Sequence, residues 1–175
     1  MFCCSICPNR QEVNYFKLLG LPENYSVDLS EADVRFRELQ MALHPDKLND
    51  EIAASTPEGY SSLLNRAISV IKSPLKRAMH LLYLVDGCTI KESELTNNSD
   101  LLMEMMELNE EVDDCGEDKG CISKLQEVNE SKLSDCEKQL YSLFQEKDFH
   151  SVREVCERMH YLDRIRYTIG EKLNR

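Results

Sequence analysis

A chain of 175 residues, 42% of them hydrophobic, has enough apolar material for one full domain or two small ones. Its formal charge of -11 and pI of about 4.9 exclude a polyanionic partner such as nucleic acid, which needs clustered Lys and Arg. No run approaches the roughly 18 consecutive apolar residues of a membrane span, and Met1-Phe2-Cys3-Cys4 lacks the charged-then-apolar order of a secretory signal, so the chain shows no address. Few Pro and Gly, abundant Leu, Glu and Lys, and no strand-like alternation predict an all-α protein.

In chain order, residues 14–19 read as a short helix stopped by Gly20-Leu21-Pro22. Ser30-Glu31-Ala32-Asp33 opens a second helix, with the Ser30 hydroxyl as N-cap and Asp33 answering the dipole. Ala32, Phe36, Leu39 and Leu43 form its apolar face, and Pro45 stops it by removing a donor and restricting His44. After a polar loop, Thr56-Pro57 is the expected start of a third helix with the stripe Leu63, Leu64, Ala67, Ile68 and Ile71. That helix ends at Ser73-Pro74, and residues 75–85 repeat the pattern up to Gly87. The Thr-, Asn- and Ser-rich stretch 96–99 marks the boundary between two halves.

Three further amphipathic segments follow, at about 100–113, 119–145 and 148–173, and short loops between them imply a bundle. The second presents Ile122, Leu125, Cys136, Leu140 and Leu143; the third presents Val152, Val155, Met159, Leu162, Ile165 and Ile169. The first has more apolar residues than one stripe requires. At about 100° per residue, Leu101, Met105, Leu108 and Val112 cluster on one side, whereas Leu102, Met103 and Met106 share another arc with Glu107, Glu110 and Asp114. An apolar strip bordered by carboxylates is a candidate protein-binding surface, and Met adapts to a partner's shape. The bland alternative is that a neighbouring helix covers this side too.

The His44-Pro45-Asp46-Lys47 stretch after a helix, with Tyr15-Phe16-Lys17-Leu18-Leu19-Gly20 upstream and Asn65-Arg66-Ala67 in the next helix, resembles the J-domain of DnaJ-type co-chaperones. Residues 101–111 (LLMEMMELNEE), 73–82 (SPLKRAMHLL) and 159–165 (MHYLDRI) look like the J-type co-chaperones of iron-sulfur cluster assembly. This resemblance implies three parts: an N-terminal Cys-containing segment (1–13), a J-domain built on a helical hairpin with flanking helices (14–87), and a C-terminal three-helix scaffold-binding bundle (100–175). It implies an ATPase activator that docks on a DnaK-type heat-shock chaperone through His44, Pro45, Asp46 and Lys47, with Arg35 and Arg37 as the basic contribution. The basic face is thin for the family, being diluted by Asp33 and Glu38. It further implies that Leu102, Met103, Met106, Glu107, Glu110, Asp114 and Tyr161 hold the cluster scaffold protein, Asp114 and Tyr161 standing where relatives have Glu and Phe. Mitochondrial residence is implied by the eukaryotic members, with the cytoplasm as the alternative; a J-domain serving another client is the alternative function.

Eight cysteines in a chain with its own core and no secretion signal are expected as reduced thiols in an intracellular compartment. Cys4 and Cys7 have the spacing of half a zinc knuckle, and some family members carry two such pairs in an N-terminal extension. A structural zinc needs four ligands. The two thiols are therefore expected free, with a shortened N-terminus or an ion shared by two chains as the other readings, and no cofactor is expected. Cys136 and Cys156 fall on apolar faces as small hydrophobes. Nothing brings a cysteine together with His44, His80, His150 or His160 and an acid, and no phosphate loop or metal-binding helix motif appears, so no catalytic activity of its own is expected.

Overall fold

The computed structural model describes residues 13–42, 59–86 and 99–174, all of whose regular structure is helical. The chain divides into two compact units, residues 1–89 and 90–175. The expected Leu43, the Thr56-Pro57 start and the Gly87 stop lie outside the described residues, as do His44, Pro45, Asp46, Lys47, Cys4 and Cys7.

In the first unit, helix α1 (Tyr15–Leu19) stops at Gly20 as expected, while Asn14, read from the sequence as its first residue, is instead its cap. Asn14 Oδ1 accepts from the Phe16 and Lys17 amides at 3.0 and 3.1 Å. Gly20 then takes a left-handed conformation (φ 68°) that lets the Leu21 N–H reach Phe16 O at 2.8 Å. Helix α2 (Leu29–Ala42) begins two residues earlier than a Ser30 cap would set, because Asp28 and not Ser30 is the cap. The Asp28 carboxylate accepts from Ser30 N at 2.8 Å and Glu31 N at 3.3 Å, combining a cap hydrogen bond with a charge suited to the helix N-terminus. Asp33 turns outward to Lys72 at 2.7 Å.

Helix α3 (Tyr60–Lys72) runs antiparallel to α2, as the Asp33–Lys72 and Gln40–Asn65 pairs fix. Leu64, Ala67, Ile68 and Ile71 are buried as expected, Leu63 only half-buried; on α2, Ala32 is buried while Phe36 and Leu39 are half-buried. The break before α4 (Pro74–Asp86) follows from Pro74, which forces Ser73 into extended geometry (ψ 118°). Ser73 then serves both helices, its carbonyl accepting the Arg77 amide at 2.8 Å. Arg77 is itself buried, donates to Ile71 O at 2.8 Å and lies 4.7 Å from the Tyr25 ring centroid, so it ties the α3–α4 corner together.

Across from that corner, His80 on α4 holds α1 in place. Its Nε2 accepts the Tyr15 amide at 3.1 Å, which leaves the proton on Nδ1, and its ring stacks on Tyr15 and Phe16 at 4.6 and 5.8 Å. Burial pushes its pKa down from 6.5 to about 4, against the opposing pull of Glu23.

The second unit is built on two long antiparallel helices, α6 (Lys119–Glu146) and α7 (Phe149–Leu173), with α5 (Ser99–Asp114) laid against them. These ends fall within one residue of the expected segments, and Ser99, read as loop, belongs to the first turn of α5. Asp118 caps α6 through Gly120 N and Cys121 N, and Asp148 caps α7 through Ser151 N. Between α6 and α7 only Lys147 and Asp148 reverse the chain, and Lys147 accepts a left-handed backbone (φ 58°) to do so.

Ile122, Cys136 and Leu140 of α6 are buried as expected, with Leu133 and Asn129 added; on α7 Val152, Cys156, Met159, Leu162, Ile165 and Ile169 are buried. Leu125, Leu143 and Val155 are half-buried at the margins. Asn129 donates from Nδ2 to Leu162 O at 3.1 Å, a polar tie inside the apolar seam.

A neutral His80 is favoured in the folded first unit, while in the unfolded chain it protonates near its ordinary value. Its stabilising contribution is therefore full above about pH 6.5 and lost as pH falls toward 4. An NMR titration of His80 should give a midpoint near 4. Stability of the first unit should drop through that window by on the order of 2 kcal/mol, a dependence that His80→Gln removes.

Candidate functional site

Helix α5 owes its two faces to having only α6 and α7 to pack on. Leu101, Met105, Leu108 and Val112 are buried against them. On the other side Leu102, Met103 and Met106 stand 46%, 65% and 56% exposed, in a strip that Glu107, Glu110 and Asp114 border with exposed carboxylates. The alternative in which a neighbouring helix covers this side does not hold among the described residues. Three large apolar side chains left in water on one helix face form a patch suited to a protein partner.

The rotation of α5 is set by cross-helix charge contacts. Glu104, at the edge between the two faces, accepts from Lys132 of α6 at 3.1 Å and pairs with Arg158 of α7. Partial burial alone would raise its carboxyl pKa; the hydrogen bonds and charges of Arg158 and Lys132 outweigh this and hold it below the usual range. At the other end Lys172 donates to Val112 O at 2.7 Å and pairs with Asp113 at 2.8 Å. Asn109 turns inward on its own helix, donating to Met105 O at 2.9 Å.

Tyr161 is half-buried on α7. Arg158 and Lys172, fourteen residues apart on α7, both reach α5, and Tyr161 follows Arg158 by one turn. It thus lies on the α7 flank that faces α5. The structure gathers the predicted α5 residues on one strip and places Tyr161 on the helix beside it. Glu104, Arg158, Lys132 and Lys172 were not singled out from the sequence, since their partners lie 28 to 60 residues away.

In the first unit, Arg35 is exposed and flanked on its own helix by Glu31 at 3.7 Å and Glu38 at 3.6 Å, so much of its charge is matched locally. Arg37 is exposed and has no ion pair with another described residue. The expected dilution by Glu38 is thus seen, whereas Asp33 is engaged by Lys72 instead.

The expectation of reduced thiols is corrected at one place. Cys115 and Cys121 form a disulfide across the α5–α6 turn, where the reversal brings their Cα atoms to 5.6 Å. Cys136 and Cys156 are free and buried, and burial pushes the Cys156 thiol up to about 12. Cys136 is likewise raised by burial. Such thiols stay protonated and pack as small hydrophobes. Among the described residues no cluster of three or more His, Cys, Asp or Glu is arranged for a metal ion, and no helix is long and apolar enough to cross a membrane.

A family model described as the HSCB C-terminal oligomerisation domain matches residues 97–170, which hold the whole exposed strip. The iron-sulfur cluster co-chaperone protein HscB homolog of Arabidopsis thaliana is 27% identical over 98% of this chain and 68% of its own length. The mouse iron-sulfur cluster co-chaperone protein HscB is 27% identical over 94% of this chain and 72% of its own. The crystal structure of human co-chaperone protein HscB superposes with a TM-score of 0.78 at 25% identity, covering 98% of this chain and 89% of that one. Over nearly its whole length the chain is similar to HscB-type iron-sulfur cluster co-chaperones. Its fold is that of these co-chaperones, a J-domain followed by a C-terminal helical bundle.

The Glu104 contacts serve to aim the strip. Glu104→Gln keeps the shape and removes the charge; urea unfolding of the second unit should show a loss of about 1 kcal/mol, given the partial exposure of the group. Because the carboxyl pKa is depressed, the wild-type contribution should be present at neutral pH and vanish as pH falls through that lowered value.

Proposed function

We propose that this co-chaperone stimulates ATP hydrolysis by a DnaK-type heat-shock chaperone and delivers to it an iron-sulfur cluster scaffold protein, so that hydrolysis drives cluster transfer. The observation that carries the reading is the α5 strip: Leu102, Met103 and Met106 exposed on a helix whose opposite face is fully packed and whose rotation is held by Glu104. A rigid helix face loses little conformational freedom on docking. Its acidic border, Glu107, Glu110 and Asp114, asks for a partner surface with an apolar recess and a basic rim. Tyr161 would add aromatic area at the α7 edge of the contact.

The chaperone-binding role is assigned to His44, Pro45, Asp46 and Lys47, with Arg35 and Arg37 as flanking charges. Pro45 limits the backbone freedom lost on docking, and the Asp46 carboxylate can take two hydrogen bonds from an arginine. With Arg35 matched by its own helix, the weight of recognition rests on the turn. The proposed setting is the mitochondrion, in keeping with the resemblance to eukaryotic members of the family. The proposed mechanism calls on no resident cofactor; Cys4 and Cys7 would hold a structural zinc only with further ligands.

The family description also names oligomerisation, and a second copy is the competing occupant of the strip. Two copies apposed through it would bring the acidic borders together on chains that each carry a charge of -11, which disfavours that use.

Single-turnover ATP hydrolysis, with this protein and the scaffold added separately and together, tests the proposal. Synergy is the expected result; stimulation without synergy would mean a different client. His44→Gln should abolish stimulation while circular dichroism stays unchanged, and retained stimulation would remove the role of the turn. Replacing Leu102, Met103 and Met106 together by Ala should weaken scaffold binding roughly 100-fold, about 2.7 kcal/mol, and leave basal ATPase stimulation intact. Unchanged affinity in a calorimetric titration would refute the strip.

A further inference from the structure

We propose that the Cys115–Cys121 disulfide is a thiol–disulfide exchange site whose state sets how firmly the acidic end of α5 is held for docking. The inference rests on the docking reading above and adds a regulator to it. Cys115 continues the last turn of α5, its amide donating to Glu111 O at 3.2 Å. Cys121 lies in the first turn of α6, its amide donating to the Asp118 cap at 3.2 Å. The bond therefore staples the end of one helix to the start of the next across a sequence separation of 6.

Exchange requires a thiolate to reach a sulfur in line. The five residues between the cysteines are all exposed and both cysteines are only half-buried, in contrast to buried Cys136 and Cys156. The nearest core side chains, Val112 and Ile122, lie outside the ring that the bond closes, so opening it displaces no core residue. The balanced step uses a dithiol reductant. Its thiolate attacks one sulfur, the S–S bond breaks to give a mixed disulfide, and the second reductant thiol displaces the bound cysteine. The products are two protonated cysteines and the reductant's own disulfide. Re-forming the bond takes the reverse exchange with an oxidised dithiol.

The effect on docking follows from which part of α5 the bond holds. The last carbonyls of a helix lack intrahelical partners and its end frays unless anchored. Here the disulfide acts beside Lys172, which engages Val112 O and Asp113, and beside the turn bonds from Gly116 N to Asp113 O and from Asp118 N to Cys115 O. Reduction removes the one covalent anchor and leaves the weaker ones. Asp114, the residue of the acidic border beyond the lysine contact, then loses its fixed position, whereas Glu107, Glu110, Leu102, Met103 and Met106 precede that contact and stay in place. Reduction should therefore weaken scaffold binding by about threefold, as loss of one rim charge would, and not abolish it.

The test titrates the full chain with the cluster scaffold protein, oxidised and after dithiothreitol, alongside Cys115→Ser/Cys121→Ser. Oxidised wild type should bind tightest; reduced wild type and the double variant should match each other, and the variant should ignore the reductant. Equal affinity of oxidised and reduced wild type, with binding intact, overturns the switch and leaves the docking reading standing. Binding in neither form removes the docking reading and the switch with it. A reductant effect that persists in the variant assigns the response to other cysteines and also overturns it. Should the variant fail to fold, mass-spectrometric mapping of the wild type decides: a reducible 115–121 pair supports the proposal, and free thiols at both positions sink it.

Discussion

The pairing of α6 with α7 carries the second unit, because these two helices are the surface on which α5 folds among that unit's described residues. Two long helices bury a seam of Ile122, Leu133, Cys136 and Leu140 against Val152, Cys156, Met159 and Leu162, and Asn129 ties its amide to the Leu162 carbonyl within that seam. An amide in an apolar seam is costly unless bonded, so the register that satisfies it is preferred over slipped alternatives. Asn129 Oδ1 finds no partner among the described residues, which makes the tie a one-sided one. Helix α5 then completes the core with one stripe only. The exposure of Leu102, Met103 and Met106 is thus a consequence of a three-helix arrangement in which no fourth helix of the unit's described residues covers the outer face.

Charges in the two units work differently, and the geometry explains why. Arg35 pairs with Glu31 and Glu38 on its own exposed helix surface, an arrangement that contributes little to stability and reduces the field available to a partner. Glu104 pairs with two different helices at a half-buried position, so its contacts fix how three elements sit together. Lys172 does the same at the opposite end of α5, using a backbone carbonyl as well as a carboxylate. Charge in the first unit is thus largely matched on one helix surface, while in the second it holds the exposed face of α5 still.

Much of this was readable from residue order. The three long helices came out within a residue because each has a sustained apolar stripe and two of them begin at an Asp cap, and the split of α5 into a packed and an open face followed from its angular periodicity. Proline placed the α3–α4 break at Ser73. What periodicity could not supply was partner identity over distance. Asn129 reads as a surface residue until Leu162 is opposite it, Glu104 reads as one more carboxylate until Arg158 and Lys132 converge on it, and Cys115–Cys121 reads as two scattered thiols until the turn closes. At the start of α2, Asp28 outcompeted Ser30 because its carboxylate reaches two amides and also complements the helix dipole.

The α6–α7 reversal has no slack: Lys147 ends one helix in a left-handed conformation and Asp148 caps the next. One residue added or removed there would turn every side chain of α7 by about 100° relative to α6. Arg158 and Lys172 would swing away from α5 together, and the docking strip would lose its aim although none of its own residues had changed. Length variation among related chains should accordingly be absent from this corner and tolerated in the exposed turn between α5 and α6, where four residues, 115–118, separate the helices.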